Sequence, residues 1–133
     1  MKQNGYKFTI PITPRTKKNS QQIIMVKCID KFGVVKERPM IIPSKAYKKY
    51  EKECGQYIPF IKTIEAPVNI KAVYYMPTRR KVDLCNLHEA LCDVLVKYKV
   101  VADDHSGIIE TMDGSRVLYD KENPRTEVEI TFI

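Results

Sequence analysis

The stretch from Pro67 to Tyr98 constrains the fold more than any other part of the sequence. Pro67 to Tyr75 alternates in character and is rich in β-branched and aromatic residues, the pattern of a strand. It runs through Met76-Pro77 into the basic cluster Thr78-Arg79-Arg80-Lys81, and there the period changes. Leu84, Leu87, Leu91, Val94, Leu95 and Tyr98 recur at helical spacing on one face and predict a helix from about Leu84 to Tyr98. Lys97 and Lys99 fall at its C-terminal end, where cations complement the helix dipole. A helix with one apolar stripe has to bury it, so this segment commits the chain to a helix layered on a sheet.

The remaining segments extend that layer. Tyr6 to Ile12 alternates well enough for a first strand, closed by Pro11 and Pro14, and Arg15-Thr16-Lys17-Lys18-Asn19-Ser20 is a polar, cationic loop. Ile23 to Ile29 and Val34 to Ile42 read as two strands around Asp30-Lys31-Phe32-Gly33, a hairpin with glycine in its turn. Pro43-Ser44 opens a second helix, with Ser44 as N-cap and a run to about Tyr57. Its Lys45, Lys48, Lys49 and Lys52 make one side basic. Two more strands, around Gly107 to Leu118 and Thr126 to Phe132, flank the turn-rich Asp120 to Pro124. The predicted architecture is α+β, a small mixed sheet with two main helices. At 133 residues, with no repeat or linker, the chain is expected to form one domain over 1–133.

No apolar run approaches the length of a membrane span. The N-terminus lacks the apolar core of a secretion signal, so a cytoplasmic protein is expected. Lys and Arg number 23 against 16 Asp and Glu, a net charge of +7. A basic balance favours a polyanionic partner, because each phosphate contact releases condensed counterions. An RNA-binding module fits the charge equally, but the Gly-rich and aromatic signatures of the common RNA-binding folds are missing. Cys28, Cys54, Cys85 and Cys92 form no CxxC pair and read as small hydrophobes.

In a basic protein the acids are informative, since they oppose the partner that the net charge invites. Asp83 begins the helix predicted from Leu84 to Tyr98, Glu89 and Asp93 lie on it, and Asp103-Asp104 follow it. At ~100° per residue, Cys85, Asn86, Glu89 and Asp93 project away from the leucine face. Hard oxygen donors of this kind suit Mg²⁺, which takes one or two carboxylates together with water and substrate phosphate. Arg79, Arg80 and Lys81 beside them would hold a phosphate backbone against the acidic pocket. Each acid also has a plain structural reading. Asp83 is a natural N-cap with Asn86 three residues on, Glu89 an exposed helix residue, and Asp103-Asp104 a turn.

The succession Met76-Pro77-Thr78-Arg79-Arg80-Lys81-Val82-Asp83-Leu84-Cys85-Asn86-Leu87, then Asp93, then Asp103-Asp104, then Ile108-Ile109, resembles the RusA family of Holliday junction resolvases. The opening strand into Pro11 and Pro14, followed by Lys17-Lys18-Asn19, is similar to the family's N-terminal pattern. The resemblance implies a homodimeric, Mg²⁺-dependent endodeoxyribonuclease, with Mn²⁺ as the alternative ion, that cuts four-way junctions by paired nicks in DNA recombination and repair. Such resolvases are often carried by prophages. It implies a catalytic and metal-binding role for Asp83 and Asp104, with Asp103 as the accompanying acid. Phosphate contacts fall to Arg79, Arg80, Lys81, Lys17 and Lys18, with Asn86 facing DNA.

Two positions depart from the family pattern. Cys85 stands where the motif usually has a second aspartate, and a thiol is a soft, poor ligand for Mg²⁺. Glu89 stands where the family often has a lysine. One reading has Glu89, on the side of the helix that carries Cys85, restoring the lost oxygen donor as a catalytic and metal-binding residue. The other is a branched-DNA-binding protein of the same fold that cuts poorly or not at all. A zinc site on Cys85, His88 and Cys92 is a third arrangement, but three ligands within two helical turns is unusual for structural zinc.

Overall fold

The computed structural model describes residues 4–17 and 21–133, apart from the side chains of Gln21, Gln22 and Pro43. Its elements run β1 (Gly5–Ile10), β2 (Gln21–Ile29), β3 (Val35–Pro43), α1 (Lys45–Cys54), β4 (Val68–Met76), α2 (Leu84–Lys97), β5 (Ile109–Thr111), β6 (Arg116–Tyr119) and β7 (Arg125–Phe132). β7 lies between β1 and β4 and is antiparallel to both. β5 and β6 pair one after the other with β4, both parallel to it. The sheet is therefore mixed, and α2 is the crossover that parallel pairing requires.

The expected strand-to-helix switch builds the core. Val68, Ile70, Ala72 and Tyr74 alternate inward along β4, and Val128 and Ile130 do so along β7. Leu87, Ala90, Leu91, Val94 and Leu95 of α2 are buried in the same cluster, together with Tyr47, Tyr50 and Cys54 of α1. Each fully buried leucine of that stripe contributes roughly 1.5–3 kcal/mol relative to exposure. Among the described residues, no helix is long and apolar enough to cross a membrane.

Two boundaries differ from the sequence expectation. The strand expected over Gly107 to Leu118 is two, because Gly114 adopts φ +87 in a turn between β5 and β6. Side chains complete the interrupted ladder. Asn69 Oδ1 accepts from the Asp113 amide at 2.7 Å, and Ser115 Oγ accepts from the Ala72 amide at 3.0 Å. α1 stops at Cys54 and not near Tyr57, where the Gln56 and Tyr57 amides close turns onto Glu53 and Cys54. A Cβ at Gly55 would lie 2.6 Å from the Tyr98 ring, so only glycine lets α1 end against that ring. Ser44 caps α1 as expected, accepting from the Tyr47 amide at 3.2 Å.

β2 and β3 form a second, two-stranded sheet. Its turn is the expected one, with Gly33 at φ +78 and Asp30 Oδ1 accepting from the Phe32 and Val34 amides. Among the described residues, none of the hairpin's apolar side chains belongs to the buried core or to the side chains packed against it.

Candidate active site and nucleic-acid interface

Asp83 sits where β4, its connection and α2 converge. Its backbone is extended at the N-cap of α2, and its Oδ1 accepts from the Cys85 amide at 2.9 Å. That bond satisfies one of the helix's free amides and fixes the carboxylate at the positive end of the dipole. The side chain is exposed. Beside it runs a groove of about 440 Å³, whose walls include Arg15 and Thr16 from the loop after β1 and Thr78, Arg80 and Lys81 from the connection. Three cations and one carboxylate thus line the same groove.

The other cations divide. Arg79 stacks over the Tyr119 ring at 4.3 Å, outside the groove lining. Lys17 Nζ pairs with Asp93 Oδ2 at 3.1 Å, tying the loop after β1 to the middle of α2. Lys18 lies outside the described residues. Sequence reading named Lys17 and Lys18 and passed over Arg15. Only the packing of the β1 loop against the β4 connection selects Arg15, and chain order carries no signal of that contact.

Asp103 and Asp104 occupy the loop beyond the other end of α2. The Ala102 amide bonds the Ile64 carbonyl before β4 begins, and Asp103 Oδ1 accepts from the Asp104 amide at 2.8 Å. Asp104 also lies within electrostatic reach of Cys92. Burial pushes that thiol up to about 11, and the charges of Asp104 and Asp93 add to the shift. Asp83 caps the N-terminus of α2, while Asp104 follows its C-terminus and lies near Cys92 in its second half. Among the described residues, no three His, Cys, Asp or Glu side chains come close enough to hold a metal together.

The outer face of α2 is as expected, with Glu89 exposed and Asn86 and Asp93 half-buried. Cys85 is exposed too, and so is not the small buried hydrophobe of the default reading for cysteine. His88 is half-buried, and its Nδ1 lies 2.7 Å from the Tyr74 hydroxyl. Burial lowers the imidazole pKa and raises that of the phenol, so the bond joins a neutral phenol and a neutral ring, its direction set by the imidazole tautomer. With His88 so engaged, Cys92 buried and Cys85 turned to solvent, the three do not form a zinc site.

Against this geometry, the family model of endodeoxyribonuclease RusA matches residues 11–131, nearly the whole chain. The chain belongs to the RusA endodeoxyribonuclease family, which implies nuclease action on DNA. No curated protein matches it closely enough to count as a relative. The matched span contains the groove, both ends of α2 and the hairpin.

Proposed function

We propose that this chain is a divalent-metal-dependent endodeoxyribonuclease that resolves four-way DNA junctions by paired nicks, acting in the cytoplasm as a homodimer. The observation that carries the reading is the fixed Asp83 carboxylate beside the groove of Arg15, Arg80 and Lys81. Phosphate oxygens match guanidinium and ammonium donors, and the groove brings them to the one carboxylate at its edge.

The donor chemistry fits Mg²⁺ better than any softer ion. Asp83 Oδ1 accepts from the Cys85 amide on an exposed side chain, while Asp103, Asp104 and Glu89 add hard oxygen donors and Cys85 adds none. Mg²⁺ needs only one or two carboxylates, the rest of its shell being water and substrate phosphate. When bound, such an ion lowers the pKa of water and neutralises charge on the scissile phosphate. Asp83 holds its place through the helix cap. Arg80 and Lys81 bind the backbone phosphates, with Arg79 flanking them and Asn86 facing the DNA. Lys17 positions the opposite wall by its pair with Asp93. Asp104 lies in the loop after α2, away from the capped Asp83. Glu89 is the donor already on the helix.

The test compares a synthetic four-way junction with linear duplex of the same sequence, with Mg²⁺ and with chelator. Symmetric nicking of the junction alone, only with Mg²⁺, is the expected result. Cleavage that persists in chelator, or that is equal on linear duplex, would sink the reading. A second reading, junction binding without cutting, is favoured by the exposed thiol at Cys85 and by the spacing of the acids. Tight junction binding with no product in Mg²⁺ or Mn²⁺ would select it.

A further inference from the structure

Paired nicking needs two active sites, and the β2–β3 hairpin carries the surface that would bring them together. Large apolar side chains are out in water along it. Ile23 is 70% exposed, Ile29 73%, Phe32 78%, Val35 60% and Ile41 63%. An isolated two-stranded hairpin is marginal in water, and exposed apolar surface of this extent marks an interaction site.

The register defines the exposed face. Ile23 pairs with Ile41, Met25 with Pro39, Lys27 with Glu37 and Ile29 with Val35. Strand alternation puts these eight side chains on one face of the hairpin. Three of the four cross-strand pairs are apolar, and the fourth is one cation opposite one anion. Among the described residues, Lys27 and Glu37 make no ion pair within the chain. The face is neutral on a chain of net charge +7, so it is poorly suited to DNA.

Such a face is self-complementary. Antiparallel partners stand at the same level along the strands. A two-fold axis parallel to the strands, passed between two copies of the face, therefore sets each residue over its own cross-strand partner in the other copy. Ile23 meets Ile41, Met25 meets Pro39 and Ile29 meets Val35. Each Lys27 meets a Glu37, twice over. This is the reciprocity that an isologous interface demands.

We propose that the β2–β3 hairpin is a dimerisation arm, and that a second copy of this chain covers its Ile23/Met25/Lys27/Ile29 face. The inference deepens the reading of the chain as a dimeric resolvase and rests on it only for the purpose of the dimer.

The experiment is sedimentation velocity on the full-length protein across a concentration series, without DNA. The wild type is expected to be a dimer at micromolar concentration, and Ile41→Glu a monomer that keeps the wild-type circular dichroism spectrum. Lys27→Glu and Glu37→Lys each place like charges in contact and should weaken the dimer about tenfold or more. Mixing those two variants should restore it, because all four facing charges are then opposite across the heterodimer. A cross-strand pair within one chain has no means of producing that rescue. A monomeric wild type, a dimeric Ile41→Glu, or no rescue on mixing would overturn the proposal. Junction cleavage measured on the same samples separates the two claims. A monomeric wild type that still resolves junctions removes the arm, and a dimer that cuts nothing removes the nuclease.

Discussion

The five-stranded sheet and the β2–β3 hairpin are made of similar residues and put them to opposite use. Along β4, Val68, Ile70, Ala72 and Tyr74 are lost to solvent beneath the leucine stripe of α2. Along β2, Ile23, Met25 and Ile29 have no helix above them and remain more than half exposed. What differs is the element that follows each strand. β4 leads through a seven-residue connection into an amphipathic helix that folds back on it, whereas β2 leads into a turn and a second strand with no face to spare. Burial comes from topology as much as from hydrophobicity, and a strand pair without a covering layer leaves its apolar face exposed.

The sharpest way to break this contrast is to truncate one apolar side chain in each region. Leu91→Ala, in the buried stripe of α2, should cost about 2–5 kcal/mol of unfolding free energy by denaturant titration. Met25→Ala on the arm should change unfolding of the isolated protomer by less than about 0.5 kcal/mol. Equal losses would mean that the arm belongs to the core. A smaller effect is expected at the cap of α1, where Ser44→Ala removes the bond to the Tyr47 amide at a cost of about 1 kcal/mol.

The weakest expected effect is on pH. Burial lowers the pKa of His88 from its ordinary value of 6.5, so the unfolded chain takes up a proton before the folded one does. Its contribution to stability is whole above pH 6.5 and is lost as the pH falls through the lowered value. His88→Gln should flatten the thermal stability profile between pH 6.5 and 5. An unchanged slope would leave another group responsible.

Much of the architecture was legible because it rests on local signals. Ser44 and Asp83 as caps, the Asp30–Gly33 turn and the change of period at Met76 are written in adjacent residues. The split between β5 and β6 was less so. It depends on Asn69 and Ser115 bonding across the sheet, and no window of sequence contains both. The candidate site divides in the same way. Asp83 and the basic cluster before it stand out in the chain, while the entry of Arg15 into their groove is a tertiary event.

The most direct test of the site is Asp83→Asn, assayed side by side for junction binding and for junction cleavage in Mg²⁺. The substitution keeps an N-cap residue and removes one negative charge from the edge of the cationic groove. The expected result is cleavage reduced by about a hundredfold or more, with binding equal to the wild type or tighter. Full cleavage by the Asp83→Asn protein would contradict the assignment and move the chemistry away from the N-terminus of α2.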